Sequence, residues 1–386
     1  MIKQKICIIG GSLTGLVTAI SLSKLNCEID LIVNNTSQNF LSNRTTAVSE
    51  DNLKFIKNLN IVKSLKKEIW PCSSMKLYAD KKGENFSKIF ELDNRHIKKK
   101  ILYMLENKKL IKMMLQKIKT IKSISLKNYK VSEISNSGLL KSIKFNNKNF
   151  NYNLIIICTG SNSSLVKNFF NDKILENFYD ETSVTTIINH AITKNDTVRQ
   201  IFLHDEIFAL LPISNTKTSI VLTLKKEIKN NKDIFIKKKI KFYAANFFER
   251  ITFSNKIEYK DLNSLIRSNY YHDRTLLFGD ALHSVHPFVG QGFNMILRDL
   301  ASLEKILSKK ISLGLDIGSS DSLAEFAGIA KPRNFAYAIG IDLLKNCFSL
   351  KNESTKNLRN DLFKIINKNN FTKKILFNIA DQGLKF

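Results

Sequence analysis

The sequence contains no apolar run long enough to span a membrane. Its longest runs, at residues 155–158 and 207–213, fall far short of the roughly 20 residues that a spanning helix needs. The chain enters a predicted strand by Ile6, with no charged leader, apolar segment and cleavage site before it. These absences predict a protein that remains where it is made, in the cytoplasm, with at most peripheral contact at the inner membrane.

Cysteine is also scarce, and its placement excludes two kinds of scaffold. The five cysteines are odd in number and form no Cys-x-x-Cys pair, which argues against a disulfide framework and against a zinc site. His283 and His286 are close in sequence but have no further ligand at a metal-binding spacing. We therefore expect no metal site, and helix capping or loop packing explains both histidines.

Arginine supplies only nine of the 61 basic residues, although the net charge is +27. Arginine is the preferred residue for bidentate contacts with phosphates and bases, and the abundant lysines are dispersed along the chain. The lysine excess is therefore better explained by compositional drift than by nucleic-acid binding, and no nucleic-acid partner is expected. Each basic residue near an anionic leaflet contributes about 1 kcal/mol to membrane binding, so weak membrane association is a plausible consequence of this charge.

The chain opens with a strand, a glycine-rich turn and a helix. Residues 5–9 are a buried apolar strand, residues 16–24 an amphipathic helix and residues 28–33 a second strand, which together predict a βαβ unit. The turn at residues 10–15 reads GGSLTG, and such a turn directs backbone N–H groups and a helix N-terminus at a pyrophosphate. The predicted dinucleotide-binding residues are Gly10, Gly11, Ser12 and Gly15.

The end of the second strand departs from the dinucleotide-binding pattern. An acidic residue that binds the ribose hydroxyls is usual at this position. The sequence has Asn34 there, whose side chain can still hydrogen-bond a ribose. Asn34 is therefore a candidate cofactor contact, and an ordinary loop asparagine is the alternative.

Later segments divide between two styles of sheet. Residues 153–158 and 275–278 repeat the buried apolar strand, whereas short strands within 75–93 and 184–224 mix apolar and polar residues as a sheet with one solvated face does. We predict an α/β fold with a Rossmann-type cofactor domain, an interleaved, mainly antiparallel β substrate domain and a helical C-terminus. The predicted bounds are 1–70, 100–175 and 270–340 for the cofactor domain, 71–99 and 176–269 for the substrate domain, and 341–386 for the C-terminal helices.

The most specific motif spans residues 276–300 and reads LLFGDALHSVHPFVGQGFNMILRDL. Its landmark residues, in order, are Gly279, Asp280, Pro287, Gly290, Gln291, Gly292 and Asn294. This order resembles the flavin-contacting segment of FAD-dependent aromatic hydroxylases, the class A flavoprotein monooxygenases. The resemblance extends over nearly the whole chain and implies that the Rossmann-type domain binds FAD.

The resemblance implies a role for each part of this motif. Gly279 and Asp280 follow the strand, and the Asp280 carboxylate accepts hydrogen bonds from the ribityl hydroxyls of FAD. Pro287 turns the chain beside the isoalloxazine ring. The N–H groups of residues 290–292 stabilise negative charge on the pyrimidine edge of the ring, and Asn294 follows them on the helix as a further cofactor contact.

Two more cofactor contacts are implied outside the motif. Arg44, followed by the predicted start of an apolar helix, corresponds to an arginine that reaches the FAD phosphates or the ring region. Asn107 corresponds to a polar residue near the pyrophosphate. A solvated arginine is the alternative for Arg44, but the sparing use of arginine in this sequence favours the functional interpretation.

The C-terminal half narrows the resemblance to ubiquinone-biosynthesis hydroxylases. Residues 207–212 resemble the strand on the substrate side of the flavin, and residues 314–323 and 333–360 resemble the C-terminal pattern of these enzymes. The subfamily implies a polyprenylated phenol substrate whose ring is hydroxylated with O2 through a flavin hydroperoxide. It implies no single catalytic residue, because the cofactor supplies the chemistry and the protein positions the ring.

Four positions depart from the family pattern. Thr159 replaces an acid, Val166 an arginine, Ile296 a glycine and Asn34 the ribose-binding acid. These changes oppose direct reduction of FAD by NAD(P)H, and a reductase partner or a ferredoxin is the alternative electron donor. Two other functions stay open: a flavin-dependent reductase of isoprenoid double bonds, and a catalytically impaired FAD-binding accessory subunit of the quinone pathway.

Overall fold

The computed structural model describes most of the chain. The described ranges are 3–34, 42–61, 68–80, 86–93, 99–145, 148–161, 163–169, 173–203, 206–225, 232–254, 256–287, 290–349 and 352–382. Residues 288–289 of the long motif therefore lie outside the described residues.

Up to β21 the described residues form runs of strands separated by helices, and after β21 the regular structure is helical. The strands are β1 Gln4–Ile9, β2 Cys27–Val33, β3 Thr45–Val48, β4 Trp70–Cys72, β5 Ser74–Asp80, β6 Phe86–Asp93, β7 Leu102–Glu106, β8 Ile124–Asn128, β9 Ile134–Ser137, β10 Leu140–Phe145, β11 Lys148–Tyr152, β12 Leu154–Ile157, β13 Lys173–Asn189, β14 Thr197–Leu203, β15 Glu206–Ser214, β16 Lys217–Lys225, β17 Thr252–Phe253, β18 Glu258–Arg267, β19 Tyr271–His272, β20 Thr275–Leu277 and β21 His283–Ser284. The helices are α1 Leu13–Leu22, α2 Glu50–Asn58, α3 Asn107–Ile118, α4 Ser164–Phe169, α5 Lys232–Ala244, α6 Gly292–Ser312, α7 Ser320–Phe348, α8 Glu353–Lys368 and α9 Asn370–Gln382, with a 3-10 turn at Gly279–Ala281.

The first sheet carries the predicted βαβ unit at its centre. Its order is β19-β20-β12-β1-β2-β8, and every pair except β19–β20 is parallel. Strands β1 and β12 are buried and apolar because the sheet is covered on both faces. Helices α1 and α6 pack together on one side, and the antiparallel β9–β10–β11 meander contacts β1 and β12 on the other.

The second sheet is larger and mainly antiparallel. Its order is β21-β18-β13-β16-β15-β14-β5-β6, with β17 paired to β13, and β14–β5 is a parallel pair. The strand β5 alternates half-buried and buried residues, the period of a strand that buries one face. Apart from β21 and the first residues of β13, these strands fall in the segments 71–99 and 176–269 that the sequence predicts for the substrate domain. The predicted fold class is confirmed.

The C-terminal helices cover one side of this second sheet. Helix α8 packs on the edge strand β6, and α7 contacts β18. Phe348 of α7 and Phe377 of α9 belong to one apolar cluster with Leu77 of β5 and Phe202 of β14. None of the helices in the described ranges combines the length and the apolar character that a membrane crossing requires.

The structure corrects one predicted element beside a candidate cofactor contact. The sequence predicts a helix start directly after Arg44, but the residues Thr45–Val48 form β3, which pairs with β7. Helix α2 begins only at Glu50. Two threonines and a valine within four residues favour an extended backbone, because their branched side chains restrict the χ1 angle in a helix.

Candidate cofactor and substrate site

The glycine-rich turn is built so that only glycine fits at two of its positions. Gly10 has φ +137°, and a β-carbon placed there would lie 2.7 Å from the Cys158 carbonyl oxygen. A β-carbon on Gly15 would overlap the Gly10 carbonyl oxygen. The two glycines therefore bring the start of α1 against the ends of β1 and β12. The first N–H groups of α1 are left to face the space above the turn.

Three cavities adjoin this turn and share lining residues. The first, of about 390 Å³, is bounded by the turn and the ends of β1, β2 and β12. The predicted cofactor contacts that line it are Gly10, Gly11, Ser12, Asn34 and Asp280. The departures from the family pattern at Thr159 and Asn34 therefore both lie in this cavity.

The second cavity, of about 550 Å³, continues from the first along α1 and α6. The predicted contacts that line it are Ser12, Arg44, Asn107, Asp280 and Gly292. The Asn107 N–H donates to the Arg44 carbonyl oxygen at 3.0 Å, and the Thr46 hydroxyl donates to the Asn107 side-chain oxygen at 2.6 Å. The β3–β7 pairing thus sets Arg44 and Asn107 side by side.

The third cavity, of about 200 Å³, lies where the two large sheets meet. Arg44, Asp280 and Gly292 continue into it from the second cavity, and Pro287 joins them. The opposite wall comes from the second sheet, through β13, β16 and β18. Asp280 lines all three cavities, so they form one continuous cleft with Asp280 at its centre.

Strand register explains why the wall of the third cavity is polar near β18 and apolar toward β16. Ser183 of β13 pairs with Lys260 of β18, and Thr185 pairs with Val221 of β16. Paired residues project from the same face of a sheet, so these four side chains share one surface. All four line the third cavity.

Residues 207–212, which the resemblance assigns to the substrate side of the flavin, do not line the third cavity directly. They belong to β15, and β16 stands between β15 and the cavity wall on β13. Ala209 pairs with Val221 and therefore projects from the same face as the cavity wall. The strand thus extends the surface of the cavity sideways, toward the C-terminal helices.

Arg44 contacts the second sheet through Glu258, a residue that no sequence motif had indicated. Its guanidinium lies 3.9 Å from the Glu258 carboxylate, and the Asn43 backbone N–H donates to the same carboxylate. Glu258 also lines the second cavity. Because β18 was not predicted as a strand, nothing in the sequence indicated that Glu258 and Lys260 would face the cleft.

Asn294 and Gln291 lie behind the cleft and not among the residues that line its three cavities. Asn294 is fully buried; its amide donates to the Ala47 carbonyl oxygen at 3.0 Å and its side-chain oxygen accepts from the Ser49 N–H at 3.0 Å. The Gln291 side chain accepts from Arg298 at 3.3 Å. Both side chains therefore have partners within the protein, and the bonds of Asn294 hold the start of α6 against β3.

The two histidines of the motif belong to separate hydrogen-bond networks. His283 lies 3.0 Å from Asp299, and His286 lies 3.2 Å from the Glu181 carboxylate. Lys345 of α7 lies 3.1 Å from the same carboxylate of Glu181. Within the described part of the chain, no group of three or more histidine, cysteine or acidic side chains is arranged to hold a metal ion.

The network around Glu181 fixes the segment that leads to Pro287. Burial by itself raises the pKa of Glu181, but the hydrogen bond from His286 and the charge of Lys345 outweigh it, so this pKa lies below its ordinary value. Glu181 is therefore an ionised acid that joins β13, α7 and the residue before Pro287.

The shape and donor set of the cleft fit FAD. Glycine is required beside the helix N-terminus, where an added β-carbon would fill the space next to the turn. Arg44 supplies a cation to the middle of the cleft, and Asp280 supplies an exposed acceptor. The cleft then reaches a small cavity between the sheets, as an elongated dinucleotide with a ring system at one end requires.

Comparisons with known proteins agree with this geometry. Residues 3–314 match the family described as FAD binding domain. The chain is 25% identical to the ubiquinone biosynthesis monooxygenase COQ6 of Dictyostelium discoideum over 99% of this chain and 92% of that protein. It is 27% identical to the ubiquinone hydroxylase UbiL of Rhodospirillum rubrum over 44% of this chain and 41% of that protein.

Solved structures share this fold. The p-nitrophenol 4-monooxygenase PnpA of Pseudomonas putida has a TM-score of 0.83 at 13% identity, covering 100% of this chain and 99% of that one. HpxO of Klebsiella pneumoniae, complexed with FAD and uric acid, has a TM-score of 0.76 at 14% identity, covering 98% and 96%. With the family match over most of its length, the chain belongs to the FAD binding domain family and is an FAD-dependent monooxygenase.

Proposed function

We propose that this monooxygenase hydroxylates the aromatic ring of a polyprenylated phenol in ubiquinone biosynthesis. The relatives named for this pathway support the substrate class. The observation that carries the proposal is the continuous cleft through Asp280, which ends in a small cavity whose wall changes from polar to apolar. A phenol ring with an apolar tail matches that gradient.

In this proposal the candidate residues hold FAD along the cleft. The turn at residues 10–15 and the start of α1 face the pyrophosphate, with Arg44 and Asn107 beside it. Asp280 accepts hydrogen bonds from the ribityl hydroxyls. Pro287 and the N–H groups of residues 290–292 lie next to the ring. Bound FAD would supply the activation of O2.

The chain's own task is then to hold the phenol ring at the inner end of the cleft and to exclude water. The third cavity is small enough for one aromatic ring, and β13, β16 and β18 form its wall. Val221, Ala209 and Leu211 continue from it on one face of the sheet and are only half-buried. Leu211 also packs against the cluster that contains Phe348 of α7. We assign the prenyl tail to this apolar track between the sheet and α7.

We also propose that the C-terminal helices contact an anionic membrane surface. Ten of the eighteen large apolar side chains that are strongly exposed in the described part of the chain lie on α7, α8 and α9. A cavity of about 470 Å³ beside them is lined by Lys99, Lys373 and Lys374 together with Phe371. Apolar side chains flanked by lysines suit an interface with anionic lipids, whereas a net charge of +27 opposes pairing of two copies.

Vesicle sedimentation tests this contact. Leu358, Leu362 and Ile365 are exposed along one side of α8, and replacing all three with serine is expected to abolish binding to vesicles that contain an anionic phospholipid. Leu139→Ser is the matched control, since Leu139 is 84% exposed on the β9–β10 turn. Equal binding of the triple variant and the control would refute the assignment.

The catalytic proposal is tested with the purified FAD-loaded enzyme, a monoprenylated phenol and isotopically labelled O2. The electron donor is varied between NADPH alone and NADPH with a ferredoxin and its reductase, because Thr159 and Asn34 lack the family's acids. The expected product carries one labelled oxygen on the ring. Saturation of a prenyl double bond without oxygen uptake would indicate an isoprenoid reductase. No turnover with any donor, despite bound FAD, would indicate an accessory subunit.

A further inference from the structure

Lys260 is the one lysine that lines the third cavity among the residues described for it. It lies in the first half of β18, and its partner in register across the sheet is Ser183 of β13. Lys260 is an exposed residue, and it lines this cavity. Its amine therefore borders the space into which a ring must fit if it is to lie beside Pro287.

Most of the charged groups around Lys260 form hydrogen bonds or ion pairs with other residues. Glu258 holds Arg44 and the Asn43 backbone, Asp261 accepts from the Thr182 hydroxyl at 3.0 Å, and His283 lies 3.0 Å from Asp299. Asp280 and Arg44 also line this cavity. Asp280 is an acid in addition to Asp261, and Arg44 is a cation in addition to Lys260. Within the described ranges, no acid lies within ion-pair distance of the Lys260 amine.

This setting changes the acid–base character of Lys260. Desolvation by the neighbouring protein atoms lowers the pKa of its amine, the negative charge of Asp280 opposes this, and the Arg44 charge lowers the pKa further. The net effect is a lowered pKa. A lysine amine that loses its proton more readily than usual can serve as a proton acceptor.

We propose that Lys260 is a catalytic residue that takes the proton of the substrate's phenolic hydroxyl and pairs with the phenolate that results. This proposal rests on the proposed phenol substrate. The O–H bond breaks, its electron pair stays on the oxygen, and a new N–H bond forms on the amine. After oxygen has been transferred, the ring carbon that received it loses its proton as the ring becomes aromatic again, and this proton leaves with the second atom of O2 as water. The ammonium returns the phenolic proton to the ring oxygen, so the amine ends as it began.

The proposal explains why a cation is placed in a cavity that is otherwise suited to an aromatic ring. An electrophilic oxygen reacts faster with a phenolate than with a phenol, because the negative charge is delocalised onto the ortho and para carbons. An ammonium beside the oxygen stabilises that charge in a site from which the ring excludes water. Ser183 lies across from Lys260 and contributes a hydroxyl to the same wall.

The first test is an equilibrium titration that does not depend on turnover. A monoprenylated phenol is bound to the oxidised holoenzyme, and its ionisation is followed with pH through the ultraviolet band of the phenolate. We expect the wild type to bind the phenolate at pH values at least two units below the pKa of the free phenol. Lys260→Met is expected to abolish this shift, and Lys260→Arg to restore most of it, because charge stabilises the anion. Lys256→Met, at an exposed position just before β18, is the matched control.

The second test compares hydroxylation of the phenol with that of its methyl ether, which has no proton to lose. Lys260→Met is expected to lower the rate on the phenol at neutral pH by about 100-fold or more, within the usual range for acid–base catalysis. The rate of this variant should then rise about tenfold per pH unit toward the pKa of the phenol, near 10 for a simple phenol. The rate on the methyl ether should be the same in the variant and the wild type.

Two outcomes would overturn the assignment. One is an unchanged phenol titration and an unchanged pH profile in Lys260→Met. The other is loss of FAD or an altered flavin spectrum in that variant with the phenol shift intact, which would mean that Lys260 acts on the cofactor. A wild type that shifts the bound phenol but never hydroxylates it would instead refute the proposed function and leave the role of Lys260 in phenol binding standing.

Discussion

Gly279 and Thr14 are in such close contact that a β-carbon on Gly279 would overlap the Thr14 methyl group. Gly279 directly precedes Asp280 in the chain, and Thr14 lies in the first turn of α1. This contact joins the two glycine-containing motifs of the chain. It places Asp280 beside the glycine-rich turn, so that one residue borders all three cavities of the cleft.

Substitution of Gly279 by alanine should therefore lower the free energy of unfolding by more than the positive φ of Gly279 alone predicts. Gly279 has φ +66° and Gly314 has φ +69°, but a β-carbon on Gly314 would meet no atom within 4 Å. We expect Gly314→Ala to destabilise the protein by about 1 kcal/mol and Gly279→Ala by a further 1–3 kcal/mol of overpacking. Chemical unfolding measures both values, and the release of flavin fluorescence measures FAD retention.

A double variant identifies the source of the extra cost. Thr14→Ser removes the methyl group that the new β-carbon would overlap, so Thr14→Ser with Gly279→Ala should recover part of the lost stability. Equal destabilisation by Gly279→Ala and Gly314→Ala would show that the contact with Thr14 has no energetic weight.

Asn294 should behave as a structural residue in spite of its place in the flavin motif. Replacing it with leucine leaves the Ser49 N–H and the Ala47 carbonyl oxygen buried without this partner. We expect a loss of about 1–3 kcal/mol for each group left unsatisfied, measured by urea unfolding. Asn246→Leu, at an exposed turn after α5, should change stability by less than about 0.5 kcal/mol. If Asn294→Leu instead kept its stability and lost FAD affinity, the side chain would be a cofactor ligand.

Glu181 should make stability depend on pH in the acid range. Its folded-state pKa lies below its ordinary value of 4.5, so its ionisation stabilises the fold above that pH, and the contribution disappears as pH falls through the lowered pKa. Glu181→Gln should destabilise the protein at pH 7 by about 1–3 kcal/mol, the range for hydrogen bonds to charged groups. The difference from the wild type should shrink as pH falls below about 4.5. Glu28→Gln, at an exposed position of β2, should show no such convergence.

The apolar track predicts that tail length governs the effect of a bulky residue at Ala209. Ala209 is half-buried and pairs with Val221, which lines the third cavity. Phenylalanine there should raise KM for a long-tailed phenol about tenfold and leave KM for a monoprenylated phenol unchanged, since losing the burial of two CH₂ groups costs about that much. Ala301→Phe, at an exposed position of α6, should affect neither substrate. An equal rise of KM for both substrates would place the tail elsewhere.

The sequence predicted those parts of the site that depend on local backbone chemistry. A glycine-rich turn between an apolar strand and a helix predicts a dinucleotide-binding turn from residues 4–24 alone, with an ordinary tight turn as the alternative. The Gly-Asp that follows β20 and the glycines at 290–292 are likewise local signals. Their roles in FAD binding stay predictions, and the structure adds that most of them line one cleft.

Other parts of the site could not be found this way. Asn294 was grouped with the cofactor contacts because of its neighbours in sequence, yet its side chain bonds to β3 and to the residue before α2. Glu181, Glu258 and Lys260 gave no signal, because each is an ordinary polar residue of a strand. Their significance comes from partners that are distant in sequence.

By itself the sequence determined the α/β class, the interleaving of two kinds of sheet and the motifs that suit FAD. These features depend on the pattern of apolar residues within a strand and on the residues of a turn, which are neighbours in the sequence. Only the tertiary structure decided that β18 lies beside β13, which brings Lys260 opposite Ser183 and into the cavity that Asp280 shares. Register between strands distant in sequence is set by the packing of the whole sheet, and a one-residue slip would turn Lys260 to the opposite face.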